Sequence, residues 1–206
     1  FCFPGILKEY VQFRLGMIYL SSKVRKYKKG KGKQPMIKID DWVIEKGEKA
    51  QGKIEITGCG MAMPATVICG VEDGPTILIT AGVHSAEYVG IQAAMELAKE
   101  FQPEELKGNV IIIPLVNVSG FEHRTMSMVY EDGKNLNRVF PGDPEGTAAD
   151  RIAYTMVTKL FSITDYYIDL HSGDGYEQLH PYVYYVGVVD EKTAEKSLHM
   201  ARHIGV

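Results

Sequence analysis

Cysteine is scarce in this chain, tryptophan nearly absent, and long apolar runs are missing altogether. The 206 residues include three Cys and one Trp. Cys2, Cys59 and Cys69 form an odd set without paired spacing, which excludes a disulfide framework and fits a reducing, cytoplasmic setting. No run approaches the roughly 18 apolar residues of a membrane span, and Gly16 to Leu20 is too short for the apolar core of a signal peptide. No membrane partner is therefore expected. Acids are almost missing from residues 1–35, where nine Lys/Arg face the single Glu9. Base is correspondingly short in the remainder, with 14 Lys/Arg against 25 Asp/Glu, although the whole chain sums to only −3. Neutralising a phosphate backbone needs clustered Lys and Arg, so the acidic body argues against nucleic acid as a partner. What is present, 45% hydrophobic and 24% charged residues, is ordinary globular composition with enough apolar side chains for one sizeable core.

The stretch Lys23 to Gln34, KVRKYKKGKGKQ, has no apolar periodicity after Val24 and no acid to pair its bases. It reads as a solvated tail. An electrostatic arm, an unstructured leader, and a translated purine-rich ribosome-binding site ahead of a natural start at Met36 are the three readings. The expected organisation is a basic, disordered leader at 1–35, which the last of these readings makes foreign to the native protein, followed by one domain at 36–206.

Lys53 to Thr57 and Ala65 to Cys69 are alternating runs separated by Gly58 and Gly60, as in an antiparallel hairpin. Thr76 to Thr80 and Val110 to Val116 are apolar throughout, as in strands buried on both faces. Tyr166 to Leu170 and Tyr182 to Val186 read as further core strands. Tyr88 to Phe101 carries Val89, Ala93, Leu97 and Phe101 at helical spacing, and Ala148 to Leu160 and Glu191 to His203 predict two more helices. Strands alternating with helices indicate an α/β fold, a mixed and largely parallel sheet covered by helices on both faces, with the antiparallel hairpin ahead of it.

Ligands of such sheets gather where strands end, and three polar sequences fall at strand ends or in the loops beyond. AGVHSAEY follows the Thr76 to Thr80 strand, with His84 and Glu87 three residues apart so that a first helical turn points both the same way. DLHSGD closes the Tyr166 to Leu170 strand with His171. Two imidazoles and a carboxylate form a zinc set that leaves a coordination position for water, whose pKa zinc lowers from about 15.7 to roughly 7. Asp169, two residues before His171, faces the same side, either orienting that ligand or bonding to backbone. The third sequence, DGKNLNRVFPGDPEGT, holds Asn137 and Arg138 outside any helical or strand face. The planar guanidinium pairs with a substrate carboxylate or with a local acid such as Asp143 or Glu145.

The order H-x-x-E, then N-x-N-R-x-F-P-G, then D-L-H resembles the succinylglutamate desuccinylase and aspartoacylase family, which shares the zinc carboxypeptidase fold. The resemblance runs from about Met36 onward. It implies one Zn²⁺ per chain held by His84, Glu87 and His171, a small carboxylate-bearing substrate held by Asn137 and Arg138, and Arg124 polarising the scissile carbonyl. It also implies a hydrolase of amide bonds, acting on N-acyl amino acids or small peptides. Where the family commonly has G-x-H-G-x-E, this chain reads Gly82-Val83-His84-Ser85-Ala86-Glu87, which keeps small residues around the ligands. The family's general-base glutamate is expected beyond residue 206, in a later strand region. On that expectation the 206 residues are the N-terminal part of the catalytic domain. A non-catalytic module that binds metal and carboxylate is the alternative.

Overall fold

The computed structural model describes residues 17–22, 37–187 and 189–204. Its strands are β1 (Met17–Ser22), β2 (Ile37–Ile39), β3 (Trp42–Ile44), β4 (Lys49–Glu55), β5 (Ala62–Cys69), β6 (Glu72–Ala81), β7 (Lys107–Ile113), β8 (Tyr166–His171) and β9 (Tyr184–Tyr185). The α-helices are α1 (Tyr88–Glu100), α2 (Val118–His123), α3 (Ala148–Thr155) and α4 (Glu191–Arg202). Seven strands form one sheet in the order β4-β5-β7-β6-β8-β1-β9, and β2 and β3 form a separate hairpin. The centre is parallel, β7 and β8 both running with β6, whereas β4–β5, β5–β7 and β8–β1 are antiparallel.

Strand alternation builds a core on each face of the sheet. Met63, Val67, Leu78, Ile111 and Ile113 point to one side, where they meet Ile152, Met156 and Leu160 from α3 and the turn that continues it. Ile68, Ile79, Val110, Ile112, Ile168 and Leu170 point to the other and pack on Ile91, Ala94 and Leu97 of α1. Neighbouring residues of β7 thus serve opposite cores, which is why Val110 to Ile113 is apolar without a break. Each such side chain, once buried, contributes about 1.5–3 kcal/mol relative to exposure.

Two features of this packing bring the functional sequences together. β6 and β8 are parallel neighbours with Ala81 opposite Leu170, so both chains leave the sheet at the same edge. Helix α1 then lies directly on the end of β8, because Gly90 has no side chain. A Cβ there would stand 2.9 Å from the Leu170 carbonyl oxygen and 3.6 Å from the His171 nitrogen. The far end of α1 is fixed by Lys49, whose Nζ donates to the carbonyls of Lys99 and Phe101 at 3.0 and 2.8 Å.

Several elements differ from the expectations. Met17–Ser22 falls inside the stretch expected to be a disordered leader, yet it pairs antiparallel with β8 from Met17 opposite His171 to Ser22 opposite Tyr166. Its alternation is too short and its charge too small to stand out beside the basic run that follows. That run, and Met36, lie outside the described residues. The core strand expected at Tyr182 to Val186 shrinks to β9, two exposed tyrosines paired with β1 at the sheet edge. Aromatic β-formers suit an edge as well as a centre, and burial is what separates the two. The helix expected at Ala148 to Leu160 is α-helical only to Thr155 and then widens into a π-type turn over Met156–Leu160. Helix α2, six residues long with no apolar stripe, was not anticipated.

Candidate metal centre

The sequence His84 to Glu87 precedes helix α1 instead of forming its first turn. Gly82, at φ +63°, turns the chain out of β6, a left-handed conformation that glycine adopts without strain. Ser85 Oγ and the Ala86 amide both donate to the carbonyl of Met126, at 2.7 and 3.2 Å. Glu87 N donates to His84 O at 3.2 Å, closing a turn that presents both side chains on one side. Gly175 N donates to Ala86 O at 2.8 Å, so the loop leaving β8 is tied to the same segment.

The result is a compact group. One ligand atom each from His84, Glu87 and His171 lies within 4.8 Å of the others, and among the described residues this is the one such group of three or more His, Cys, Asp or Glu. His84 Nδ1 is 2.8 Å from Glu87 Oε1, and His171 Nδ1 is 2.7 Å from Glu87 Oε2. The rings meet edge to face, centroids 5.1 Å apart. On the outer sides, His171 Nε2 is 2.8 Å from Asp169 Oδ2, and His84 Nε2 is 3.2 Å from Asn135 Oδ1.

Both imidazoles are therefore flanked by acceptors on both nitrogens, an arrangement that only added positive charge between them and Glu87 can satisfy. Protons can supply it, and so can a metal cation. Burial opposes charging His171, yet Asp169 and Glu87 on its two sides raise its pKa to about 10. Burial likewise opposes ionising Glu87, but the two histidines hold its pKa down at about 2. Two nitrogens and one carboxylate oxygen, with outer nitrogens anchored by hydrogen-bond acceptors, match a three-protein-ligand zinc site and its supporting shell. The residues present fit that ion.

Behind His171 lies a buried polar chain. Thr80 Oγ1 donates to Asp169 Oδ1 at 2.6 Å and is 2.9 Å from Tyr167 Oη. Burial, then the adjacent Asp169 charge, pushes the Tyr167 hydroxyl well above its ordinary pKa, so it remains a neutral donor. Of the two readings of Asp169, the geometry gives the one in which it bonds the histidine. Thr80, Tyr167 and Asn135 were not singled out from sequence. Thr80 and Tyr167 lie on strands and look like β-formers, and Asn135 was hidden as the first letter of N-x-N-R.

Asn137 and Arg138 sit on a 3₁₀ turn, Leu136–Arg138, that Asn135 caps by accepting from Asn137 N. Leu136 is fully buried beneath it. The loop is anchored to α3 by Lys134 Nζ to Asp150 Oδ2 at 2.7 Å and by the Ala149 amide to Asp132 Oδ2 at 2.8 Å. Arg138 is exposed, and its Nη1 donates to Asn137 O at 3.2 Å. Asp143, one of the two local acids considered for it, accepts instead from Glu145 N at 2.9 Å. The Asn135–His84 contact places this turn beside the ligand group. Arg124 ends α2 in a left-handed conformation, φ +57°, with its residue exposed.

Comparison with known proteins assigns the chain to a family. Residues 73–206 match the model of the succinylglutamate desuccinylase/aspartoacylase catalytic domain. The chain belongs to this family. It is similar to the N-alpha-acetyl-L-2,4-diaminobutyric acid deacetylase of Halomonas elongata, 35% identical over 164 residues, which cover 79% of this chain and 45% of that protein. Among solved structures it resembles a succinylglutamate desuccinylase/aspartoacylase from Rhodobacter sphaeroides, with TM-score 0.57 and 31% identity over 64% of this chain and 42% of the other. It also resembles the product-bound ectoine utilization protein EutE (DoeB) from Ruegeria pomeroyi, with TM-score 0.56 and 30% identity over 67% and 43%. The chain thus spans about half the length of the relatives it matches. Among the described residues no helix is long and apolar enough to cross a membrane.

Proposed function

We propose that this chain carries the metal centre of a zinc-dependent amide hydrolase that deacylates N-acyl amino acids in the cytoplasm. The observation that carries the reading is the His84, Glu87 and His171 group, its outer nitrogens held by Asn135 and Asp169. Zinc, one per chain, supplies Lewis acidity toward a carbonyl at neutral pH. The side chains do the rest. His84, Glu87 and His171 hold the ion, and Asp169 keeps the second imidazole in one orientation. Arg138 and Asn137 bind the substrate carboxylate and thereby place the amide. Arg124 offers its guanidinium to the oxygen that gains charge. The similarity to a diaminobutyrate deacetylase favours an N-acetylated amino acid over a longer peptide.

The second reading is a module that binds metal and carboxylate without a general base to turn substrate over, a role the His84, Glu87 and His171 group fits equally. Loss of a general base costs about 10² to 10⁴ in rate. Metal analysis of wild type, His84→Ala and His171→Ala, followed by a hydrolysis screen on N-acetyl amino acids including N-acetyl-L-2,4-diaminobutyrate, tests both. Stoichiometric zinc lost in the variants, with turnover, is expected of the hydrolase; zinc without turnover selects the binding module. A wild type free of zinc under metal-replete conditions refutes both.

A further inference from the structure

One amide oxygen stands between the metal group and the carboxylate clamp. Asn135 Oδ1 is 2.9 Å from the backbone nitrogen of Asn137 and 3.2 Å from His84 Nε2. A backbone N–H only donates, so the atom facing it is the oxygen of the Asn135 amide and not its NH₂. That orientation carries over to the histidine: an oxygen opposite Nε2 requires a hydrogen on Nε2. The nitrogen left to meet a metal is therefore Nδ1, which faces Glu87 at 2.8 Å. The same residue shapes the turn, since its main-chain carbonyl accepts from Arg138 N at 2.9 Å.

We infer that Asn135 is a positioning residue that joins the two halves of the site: it selects the metal-binding nitrogen of His84 and sets the pose of the Asn137–Arg138 turn, so that metal and substrate carboxylate bind with thermodynamic linkage. The inference rests on the zinc reading above. Whatever stiffens the oxygen's bond to His84 also holds the Asn137 amide, and by reciprocity a carboxylate on the clamp strengthens the hold on the metal.

The test uses Asn135→Ala, Asn135→Asp and wild type. Zinc affinity is measured by chelator competition, and the affinity of L-2,4-diaminobutyrate, which has the carboxylate but no acyl group to cleave, by calorimetry with and without zinc. In wild type, zinc tightens this ligand about fivefold or more, the lower range of ordinary coupling. Asn135→Ala loses about 10- to 100-fold in zinc affinity, and its ligand affinity no longer responds to zinc. Asn135→Asp keeps an acceptor for both donors and restores both properties, which a merely structural defect would not do. On zinc-loaded wild type, long-range ¹H–¹⁵N spectra show His84 protonated at Nε2. Zinc on Nε2, or an Asn135→Ala protein with wild-type zinc affinity and intact linkage, overturns the inference alone. A wild type that takes up no zinc overturns the zinc reading and the linkage with it.

Discussion

Replacing Gly90 with alanine tests how the fold assembles the metal group. Alanine inside a helix is favoured over glycine by about 1 kcal/mol, so an unpacked α1 would be stabilised. Here the new Cβ would stand 2.9 Å from the Leu170 carbonyl oxygen and 3.2 Å from its carbon, against 3.4–4 Å for ordinary contact. Both atoms are backbone, so helix and strand must separate by roughly half an ångström, and overpacking of this kind costs about 1–3 kcal/mol. The net effect on stability is small, a loss of up to about 2 kcal/mol. Its effect on the site is larger. Glu87 immediately precedes α1 and His171 ends β8, and their ligand atoms are 2.7 Å apart. Metal–ligand distances tolerate only about ±0.2 Å, so zinc affinity falls on the order of tenfold, comparable to losing a supporting hydrogen bond. Thermal unfolding by circular dichroism gives the first quantity and competition against a chromophoric chelator the second. A variant with a raised melting temperature and wild-type zinc affinity would show that α1 does not depend on close approach to β8, and the reasoning would fail.

Other outcomes follow from the same geometry. Asp169→Asn leaves His171 with a neutral partner and lowers zinc affinity about 10- to 100-fold, read by the same competition; unchanged affinity would remove Asp169 from the site's support. In the metal-free protein, His171 is raised to about 10 from 6.5. Its contribution is therefore full below pH 6.5 and is lost as pH rises toward 10. Glu87, lowered to about 2 from 4.5, contributes above pH 4.5 and loses that contribution as pH falls toward 2. Melting temperature of metal-free protein should decline on both flanks, whereas zinc, which replaces protons on the imidazoles, removes the alkaline decline; a flat metal-free profile contradicts the assignment. Under the hydrolase reading, Arg138→Lys keeps charge but loses the planar fork, and should raise KM for N-acetyl amino acids about tenfold with kcat nearly intact; a fall confined to kcat would place Arg138 at the reacting bond instead.

The central strands and the three residues of the His84, Glu87 and His171 group were legible because each left a local mark: unbroken apolar runs for β6, β7 and β8, and polar residues placed just past them. Their meeting was not written in any local pattern. It depends on β6 and β8 being adjacent and in register, and on Gly90 letting α1 settle onto β8, both properties of distant pairing. Asn135 escaped notice because its value lies in geometry, one oxygen aimed at two donors, and composition carries no sign of that. Strand β1 was missed for a different reason: six residues beside a strongly basic run read as part of it, and only the ladder to β8 shows where they belong. The tyrosines of β9 failed in the other direction, since aromatic β-formers promised a core strand where the sheet ends.

The two histidines are not equivalent in how they face the outside. The side chain of His171 is 1% exposed and that of His84 is 16% exposed, so the group has a sealed wall and a doorway. The more open imidazole is also the one whose outer nitrogen meets a neutral amide, that of Asn135, where His171 meets the Asp169 carboxylate. Under the zinc reading, substitutions around His84 would act on how readily the ion exchanges with solvent, and substitutions in the buried chain behind His171 on how firmly it is held.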